Sequence, residues 1–448
     1  MTAFKKAEFI TLTEDIEYCK EIWLLKGVDR MYGEIITIGN ELVSGKTLDL
    51  NSWYAAGRLT AAGLRVNRIK SVGDDYKMVS EALKETLKES RFAIITGGLG
   101  STEDDMTCEI VANSLNRPLC INEQMFKKIK SLVEERGNKL TPSIEKMAWM
   151  PEGSTVLSPD GAACGFSLKQ DKVYLYFLPG VHEQMRYLMD SVVLPDILRN
   201  FKSLPYVEQR ILKLYGITEP EISEVFKGLK GKTGDVVFGF YPHFPENHIT
   251  LSLQDKDKAK VVRELDRIEN DIRKFLGAYI FASGNKNIED TVGAMLKERA
   301  ITIAVAESCT GGLIGNRLTN LPGSSYYFAG GVIVYSNQSK IEFLQVREDT
   351  INKYGAVSDE TVREMAEGVR RNFKTDMGLA VTGIAGPDGG TKEKPVGTVH
   401  IGLASDRNVL SNKYRFWGNR EQIKINTSMM ALDWIRRRLN GDTFLPGI

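Results

Sequence analysis

The chain has 448 residues, 42% hydrophobic and 26% charged, with 59 lysines and arginines against 58 aspartates and glutamates. That length exceeds one ordinary domain and suits two to four, with the composition of a soluble globular protein. A formal net charge of +1 argues against an extended nucleic-acid surface, and no apolar run approaches the roughly 18 residues of a membrane span.

Five cysteines (Cys19, Cys108, Cys120, Cys164 and Cys309) are scattered without a C-x-x-C pair. This fits a reducing cytoplasm better than a disulfide framework or a structural zinc site. Residues 1–30 are peppered with charge (Lys5, Lys6, Glu8, Glu14, Asp15, Glu17, Lys20) and lack the apolar core of a signal peptide. They are read as an N-terminal extension without chemistry.

From Met31 short apolar runs alternate with amphipathic segments. The pattern predicts strands at 33–39, 64–72 and 92–96 and helices at 50–62 and 76–89, where Val79, Leu83 and Leu87 recur at helical spacing. Such alternation implies a parallel, doubly wound sheet with ligands at the carboxyl ends of its strands. The glycine-bearing loops 39–45 and 97–102 fall there. Residues 201–285 read as a small α+β domain in the order β-α-β-β-α: strand 208–215, helix 219–229, strands 236–241 and 249–253, helix 258–275. The boundaries are Ser203-Leu204-Pro205 and the Gly/Asn-rich 283–287. A second alternating region, 286–448, begins with a helix at 288–299 and a strand at 301–306. After the loop 307–312 and a helix through Leu318, strands follow at 330–335, 378–382, 396–404 and 413–417, and a terminal helix at 421–439. The fold class expected is α/β: two doubly wound, three-layer domains (31–200 and 286–448) joined by the α+β domain.

In the last domain Ser308 is expected where a strand turns into a helix, among free backbone N–H groups that stabilise an oxyanion or bind phosphate. Gly311 and Gly312 allow close approach of a ligand. Tyr335, expected to end a strand, and Lys340 stand in Y-S-N-Q-S-K. A lysine of lowered pKa, or a tyrosinate beside it, activates a serine without histidine. Of His182, His243, His248 and His400, only His400 lies in this domain, in a predicted strand, and a Ser-His-Asp arrangement is not favoured. The loop 382–387 (T-G-I-A-G-P) suits a phosphate or ribose contact.

In the first domain Gly97, Gly98 and Gly100 expose backbone N–H groups to phosphate. Asp74, Asp104 and Asp105, with Glu41, are placed by the strand pattern to converge as hard oxygen ligands for Mg²⁺ or another divalent cation.

The motifs A-E-S-C-T-G-G (306–312), L-P-G-S-S-Y-Y-F-A-G-G-V-I-V-Y-S-N (321–337), G-A-V-S (355–358), A-V-T-G-I-A-G-P (380–387) and K-P-V-G-T-V (394–399) resemble, in order and spacing, the C-terminal domain of the CinA family. The resemblance implies hydrolysis of nicotinamide mononucleotide to nicotinate mononucleotide and ammonia, without a cofactor. By the same resemblance Ser308 is the nucleophile and Tyr335 with Lys340 the activating pair. Glu307, Cys309, Thr310, Gly311, Gly312, Thr382, Gly383, Gly386 and Arg420 are then substrate contacts, Arg420 toward phosphate. Cys309 is the rival nucleophile, read as a packing residue.

G-N-E-L-V-S-G (39–45), D-L-N (49–51) and T-G-G-L-G-S-T-E-D-D-M-T (96–107) resemble the molybdopterin-binding-like domain that opens CinA proteins. This implies an ADP-ribose pyrophosphatase releasing AMP and ribose 5-phosphate. Gly39, Asn40, Glu41, Asn51, Gly97, Gly98, Gly100, Thr102 and Glu183 would hold the nucleotide, and Asp74, Asp104 and Asp105 the metal. Four positions depart from the family: Ser101 and His182 stand where it has proline, and Ala162 and Cys164 where its loop has threonine and proline. The family's middle domain is KH-like, but G-L-K-G (228–231) joins a helix to a strand here, whereas KH loops join two helices. A spacer or dimer-contact role is expected rather than RNA binding. The expected partners are therefore small nucleotides and a second copy of the chain, with neither membrane nor nucleic acid. Two alternatives stay open: a regulatory protein of competence or DNA damage, and pterin binding by the first domain.

Overall fold

Six consecutive buried residues, Gly33–Ile38, make β1 (Tyr32–Ile38) an inner strand of the first sheet. The computed structural model describes residues 32–444 apart from 136, 138, 158–164, 202–204, 230, 232 and 407. The 1–30 extension, Ala162, Cys164, Ser203-Leu204 and Lys230 lie outside the described residues.

Around β1 the chain builds α1 (Leu50–Ala61), β2 (Arg65–Val72), α2 (Tyr76–Glu89), β3 (Phe92–Thr96) and α3 (Thr107–Ser114). It continues through β4 (Leu119–Ile121), α4 (Glu123–Glu135), β5 (Trp149–Pro151), β6 (Thr155–Val156), β7 (Phe166–Gln170), β8 (Val173–Leu178), α5 (His182–Leu188) and α6 (Leu194–Asn200). The strand period of two separates the faces. Ile36, Ile38, Ala93 and Ile95 pack with Val79 and Leu83 of α2, while Ile35, Phe92 and Ile94 pack with Ala55 and Leu59 of α1. The sheet order is β2-β1-β3-β8-β7-β6. The first four strands are parallel, as expected, but β7 and β6 add an antiparallel edge.

The middle region comprises β9 (Tyr206–Leu214), α7 (Glu219–Leu229), β10 (Val237–His243), β11 (Glu246–Asp255), α8 (Lys258–Leu276) and β12 (Ile280–Ser283). Its sheet runs β10-β11-β9-β12. The β-α-β-β-α order matches the expectation, and β12 is an added strand.

The last region contains α9 (Ile288–Glu298), β13 (Ile303–Glu307), α10 (Leu313–Thr319), β14 (Phe328–Ile333), α11 (Asn337–Leu344) and α12 (Glu348–Tyr354). It ends with α13 (Asp359–Phe373), β15 (Met377–Gly383), β16 (Thr398–Ala404), β17 (Val409–Arg415) and α14 (Arg420–Asn440). Ile303 and Val305 of β13 face Val292 and Leu296 of α9 and Met429 and Leu432 of α14. Ala304 and Ala306 face Val362, Met365 and Ala366 of α13. In the order β14-β13-β15-β16-β17 the first three strands are parallel and the last two antiparallel. Adjacent parallel strands end together, so the segments after β13, β14 and β15 converge at one edge.

Helix α14 closes this domain. Asn419 caps its start: the Gln422 N–H donates to Asn419 Oδ1 at 2.9 Å, and the Asn419 N–H to Gln422 Oε1 at 2.9 Å. Near its far end the buried Asp433 accepts from Arg436 Nε at 2.7 Å and Arg437 Nε at 2.6 Å. Both guanidinium groups also donate to the carbonyl of Ala278, each at 2.8 Å, joining α14 to the segment between α8 and β12. Removing the acid leaves buried Arg437 without a counter-charge and buried Arg436 with only Asp442, 3.9 Å away. Asp433→Ala is therefore expected to destabilise the domain by about 3–5 kcal/mol, read as a lowered denaturant midpoint in equilibrium unfolding of the full chain.

Candidate active site

The chain leaves β13 at Glu307 and passes through Ser308–Gly312 before α10 begins. Glu307 is buried, and its carboxylate accepts the N–H groups of Gly312 (2.9 Å), Ile314 (3.1 Å) and Gly315 (2.8 Å). Two expectations change with this. Ser308 lies five residues ahead of α10, not on its first turn, and those helix donors are taken by Glu307 rather than left for a ligand. Glu307, expected as a substrate contact, instead caps the helix, because a carboxylate at a strand end satisfies orphan helix donors.

Lys340, on α11, is 1% exposed. Its Nζ lies 3.2 Å from Ser308 Oγ, 2.7 Å from the carbonyl oxygen of Val334 and 3.2 Å from that of Tyr335. Burial pushes the amine down to about 8. As an ammonium, Lys340 has three donors for these three oxygens. As a neutral amine, it gives two hydrogens to the two carbonyls and turns its lone pair toward Ser308, whose hydroxyl then donates. The backbone carbonyls thus orient the Lys340 amine onto the Ser308 hydroxyl.

Tyr335 departs from expectation. It lies two residues beyond β14, and its side chain is exposed. Its phenol oxygen accepts from Arg420 Nη2 at 3.0 Å. What it offers Lys340 is its main-chain carbonyl, so a tyrosinate held beside the lysine is not what this geometry contains. Chain direction after β14 decides this, since the turn into α11 sends the side chain outward and the carbonyl inward. His400 lies on β16 opposite Thr382 and Lys413, and burial pushes it down to about 4. Among the described residues it is Lys340 whose side-chain nitrogen lies within hydrogen-bond reach of Ser308 Oγ.

The other expected contacts fall into two groups. Gly311, Gly383, Gly386 and Arg420 border the loop. A Cβ on Gly383 would stand 3.1 Å from Cys309 Sγ, and Arg420 Nη1 donates to the carbonyl of Gly386 at 2.6 Å. Gly311 has φ +64°, and, its two chain neighbours aside, the described atom within 4 Å of the space its Cβ would fill is Lys424 Nζ, at 3.9 Å. Lys424, one turn along α14 from Arg420, was not singled out; its i+4 spacing from Arg420 was the available signal. Gly312 precedes α10 in a left-handed conformation. Thr382, by contrast, is buried and donates to the carbonyl of Ala356 at 2.8 Å, so it holds the G-A-V-S loop in place. Thr310 is fully buried, and its hydroxyl has no hydrogen-bond partner among the described residues. Cys309 is buried, and burial pushes its thiol up to about 12, which keeps it protonated.

The N–H groups of Gly97, Gly98 and Gly100 were expected to face phosphate, but that of Gly97 donates to the carbonyl of Leu178 at 3.1 Å, because the strand pairing of β3 with β8 extends one residue past Thr96. Gly97 adopts φ +107°, and a Cβ there would stand 2.1 Å from the carbonyl oxygen of Ile38, so only glycine fits between β1 and β3. Asn51 donates to Thr96 Oγ1 at 3.1 Å and the carbonyl of Gly180 at 2.8 Å, and its Oδ1 lies 2.9 Å from His182 Nδ1. The histidine at a family proline position is thereby tied into the same corner. Glu183 is exposed on α5.

The expected metal ligands do not assemble into one cluster. The N–H of Asn40 donates to Asp74 Oδ2 at 2.8 Å. The N–H of Thr102 donates to Asp105 Oδ2 at 2.8 Å and its hydroxyl to Asp104 Oδ1 at 2.5 Å. Burial, with the nearby charges of Glu41, Asp104 and Asp105, raises the Asp74 pKa against the Asn40 hydrogen bond. Among the described residues no group of three acids, histidines or cysteines is placed to hold an ion. The side chains prefer the local hydrogen bonds their own loops supply. Beside Gly98 and Gly100 opens a cleft of about 620 Å³ lined by Leu99, Met147, Trp149 and Lys146. Its wall includes residues beyond 140 to which the sequence attached no element.

Among the described residues no helix is long and apolar enough to cross a membrane. Residues 34–199 match the probable molybdopterin binding domain, 209–282 the damage-inducible protein CinA KH domain, and 285–439 the CinA C-terminal domain. A CinA-like protein of Geotalea uraniireducens (strain Rf4) is 38% identical over 405 residues, covering 90% of this chain and 96% of that protein. A CinA-like protein of Syntrophus aciditrophicus (strain SB) is 41% identical over 408 residues, covering 90% and 97% respectively. The crystal structure of the competence/damage inducible protein CihA from Agrobacterium tumefaciens is 37% identical, covering 34% of this chain and 93% of that one, with a TM-score of 0.33.

The buried, protonated state of Cys309 sets a direct test of its role. Iodoacetamide at pH 8 should alkylate the exposed Cys120 in the native protein and leave Cys309 unmodified until the chain is unfolded. Peptide mass spectrometry distinguishes the two sites.

Proposed function

The chain belongs to the CinA family, and from that premise we propose that its C-terminal domain is a serine-lysine amidohydrolase converting nicotinamide mononucleotide to nicotinate mononucleotide and ammonia. The observation that carries this reading is Lys340 Nζ, buried and 3.2 Å from Ser308 Oγ. Neutral Lys340 takes the Ser308 proton as Oγ bonds to the carboxamide carbon. The C–N bond breaks, the departing nitrogen takes that proton back, and ammonia leaves an ester on Ser308. Water, deprotonated by the same amine, attacks the ester; Oγ leaves and recovers its proton. One water is consumed for each ammonia released.

For the N-terminal domain we propose nucleotide binding, with ADP-ribose the ligand in the cleft beside Gly98 and Gly100. The support is a 620 Å³ cavity bordered by a glycine loop and by Trp149, an aromatic surface suited to stacking a base. Pyrophosphate cleavage calls for a divalent ion. Among the described residues no group of three acids, histidines or cysteines is placed to hold one, and the reading for this domain is nucleotide binding.

Ammonia release from nicotinamide mononucleotide tests the first reading. Ser308→Ala should abolish it by roughly 10³-fold or more, and Lys340→Met should lower it by about 10²–10⁴-fold. Tyr335→Phe should cost far less, because its phenol touches Arg420 rather than the base. The pH profile follows from the sign of the shift. Only the deprotonated amine accepts a proton, and about a tenth of it is deprotonated at pH 7 if its pKa is 8. Hence kcat/KM should climb with pH through about 8 and then level. A profile that falls over that range would rule Lys340 out as the base.

A further inference from the structure

Building on the proposed nucleotide reading, we propose that Lys424 is the phosphate-binding cation of the C-terminal site and sets its preference for a nucleoside monophosphate over the nucleoside. The cations bordering the nucleophile loop differ in what already occupies them. Lys340 is enclosed with Ser308 and two carbonyls. Arg420 bridges the rims, donating to the carbonyl of Gly386 and to Tyr335 Oη. Lys394 donates to the carbonyl of Tyr354 at 2.7 Å. Lys424 is half-buried and makes no hydrogen bond or ion pair with any described residue.

Position gives that free charge its meaning. Arg420 and Lys424 stand four residues apart on α14, on one face of the helix. Lys424 Nζ borders the space left open by the missing side chain of Gly311, 3.9 Å from that point, and apart from Gly311 and its two chain neighbours no other described residue comes within 4 Å of it. Gly311 is three residues past the nucleophile. A partly desolvated ammonium without a counter-ion is unfavourable until an anion meets it, and the substrate class proposed above carries a phosphate monoester. Arg420 becomes the strut that holds the rim, and the phosphate role expected of it passes to Lys424.

The test compares two substrates in the full-length protein: nicotinamide mononucleotide and nicotinamide riboside, which lacks the phosphate. Lys424→Met should lower kcat/KM for the mononucleotide about 10- to 100-fold, the size of one charge-assisted hydrogen bond. The loss should appear in KM more than in kcat. The mononucleotide-to-riboside ratio should fall by the same factor, and Lys424→Arg should restore most of it. An unchanged ratio, or an equal loss with both substrates, would overturn the assignment. A second measurement needs no turnover. In the Ser308→Ala protein, acetylation of Lys424 by acetic anhydride, followed by mass spectrometry, should be slowed by the mononucleotide and not by the riboside. Absence of ammonia release from the wild type would sink the deamidase reading alone. Labelling of Lys424 at one rate with and without the mononucleotide would sink the phosphate site.

Discussion

A lysine side chain withdrawn from water is the constraint around which the C-terminal domain is arranged. An ammonium in that position is unfavourable unless every hydrogen finds an oxygen. The fold supplies the Val334 and Tyr335 carbonyls from the turn after β14 and the Ser308 hydroxyl from the turn after β13. Those turns are neighbours because β14 and β13 are adjacent parallel strands. The serine and the lysine are 32 residues apart in sequence, yet their meeting needs no long-range adjustment beyond the pairing of two strands. Desolvation lowers the amine's proton affinity, and the carbonyls decide where its lone pair points.

The same economy governs the loop before α10. Glu307 ends β13 and holds three helix N–H groups, so the turn between them is clamped at both ends. Cys309 lies against Gly383 beneath it, and its buried thiol acts as packing rather than as a nucleophile. Strand pairing, a capping carboxylate and a glycine opposite a sulfur together position Ser308.

Much of this was legible in the sequence. The buried strands are short apolar runs ended by glycine or serine, and the ends of parallel strands are where side chains from distant segments meet. That logic placed the loops after β1, β3 and β13 at strand ends, while the pairing of Ser308 with Lys340 was implied by the resemblance to the CinA family. What escaped depends on direction and on competition. The phenol of Tyr335 points to Arg420 while its carbonyl faces Lys340, and a motif carries no information on which way a residue turns at a strand end. Glu307, Thr382, Asp104 and Asp105 have suitable ligand chemistry, and each also engages a local backbone or hydroxyl group, which a motif does not display. The antiparallel strands β6, β7, β16 and β17 present the same apolar alternation as parallel ones, so pattern alone did not reveal their direction. Lys424 was overlooked because one lysine on a polar helix face resembles many others until the glycine opposite is seen.

Helix α14 has one further consequence. Its first turns carry Arg420 and Lys424 beside the Ser308 loop, and its last turns are anchored, through Arg436 and Arg437, to the carbonyl of Ala278 in the middle region. At 1.5 Å per residue, the stretch from Lys424 to Arg436 is a lever arm of about 18 Å, and a tilt of about 3° at the anchored end swings the lysine by about 1 Å. Displacements of that size are enough to change the rate of a positioned reaction by orders of magnitude. The Ala278 carbonyl of the middle region is thus one of the points that fix the direction of α14.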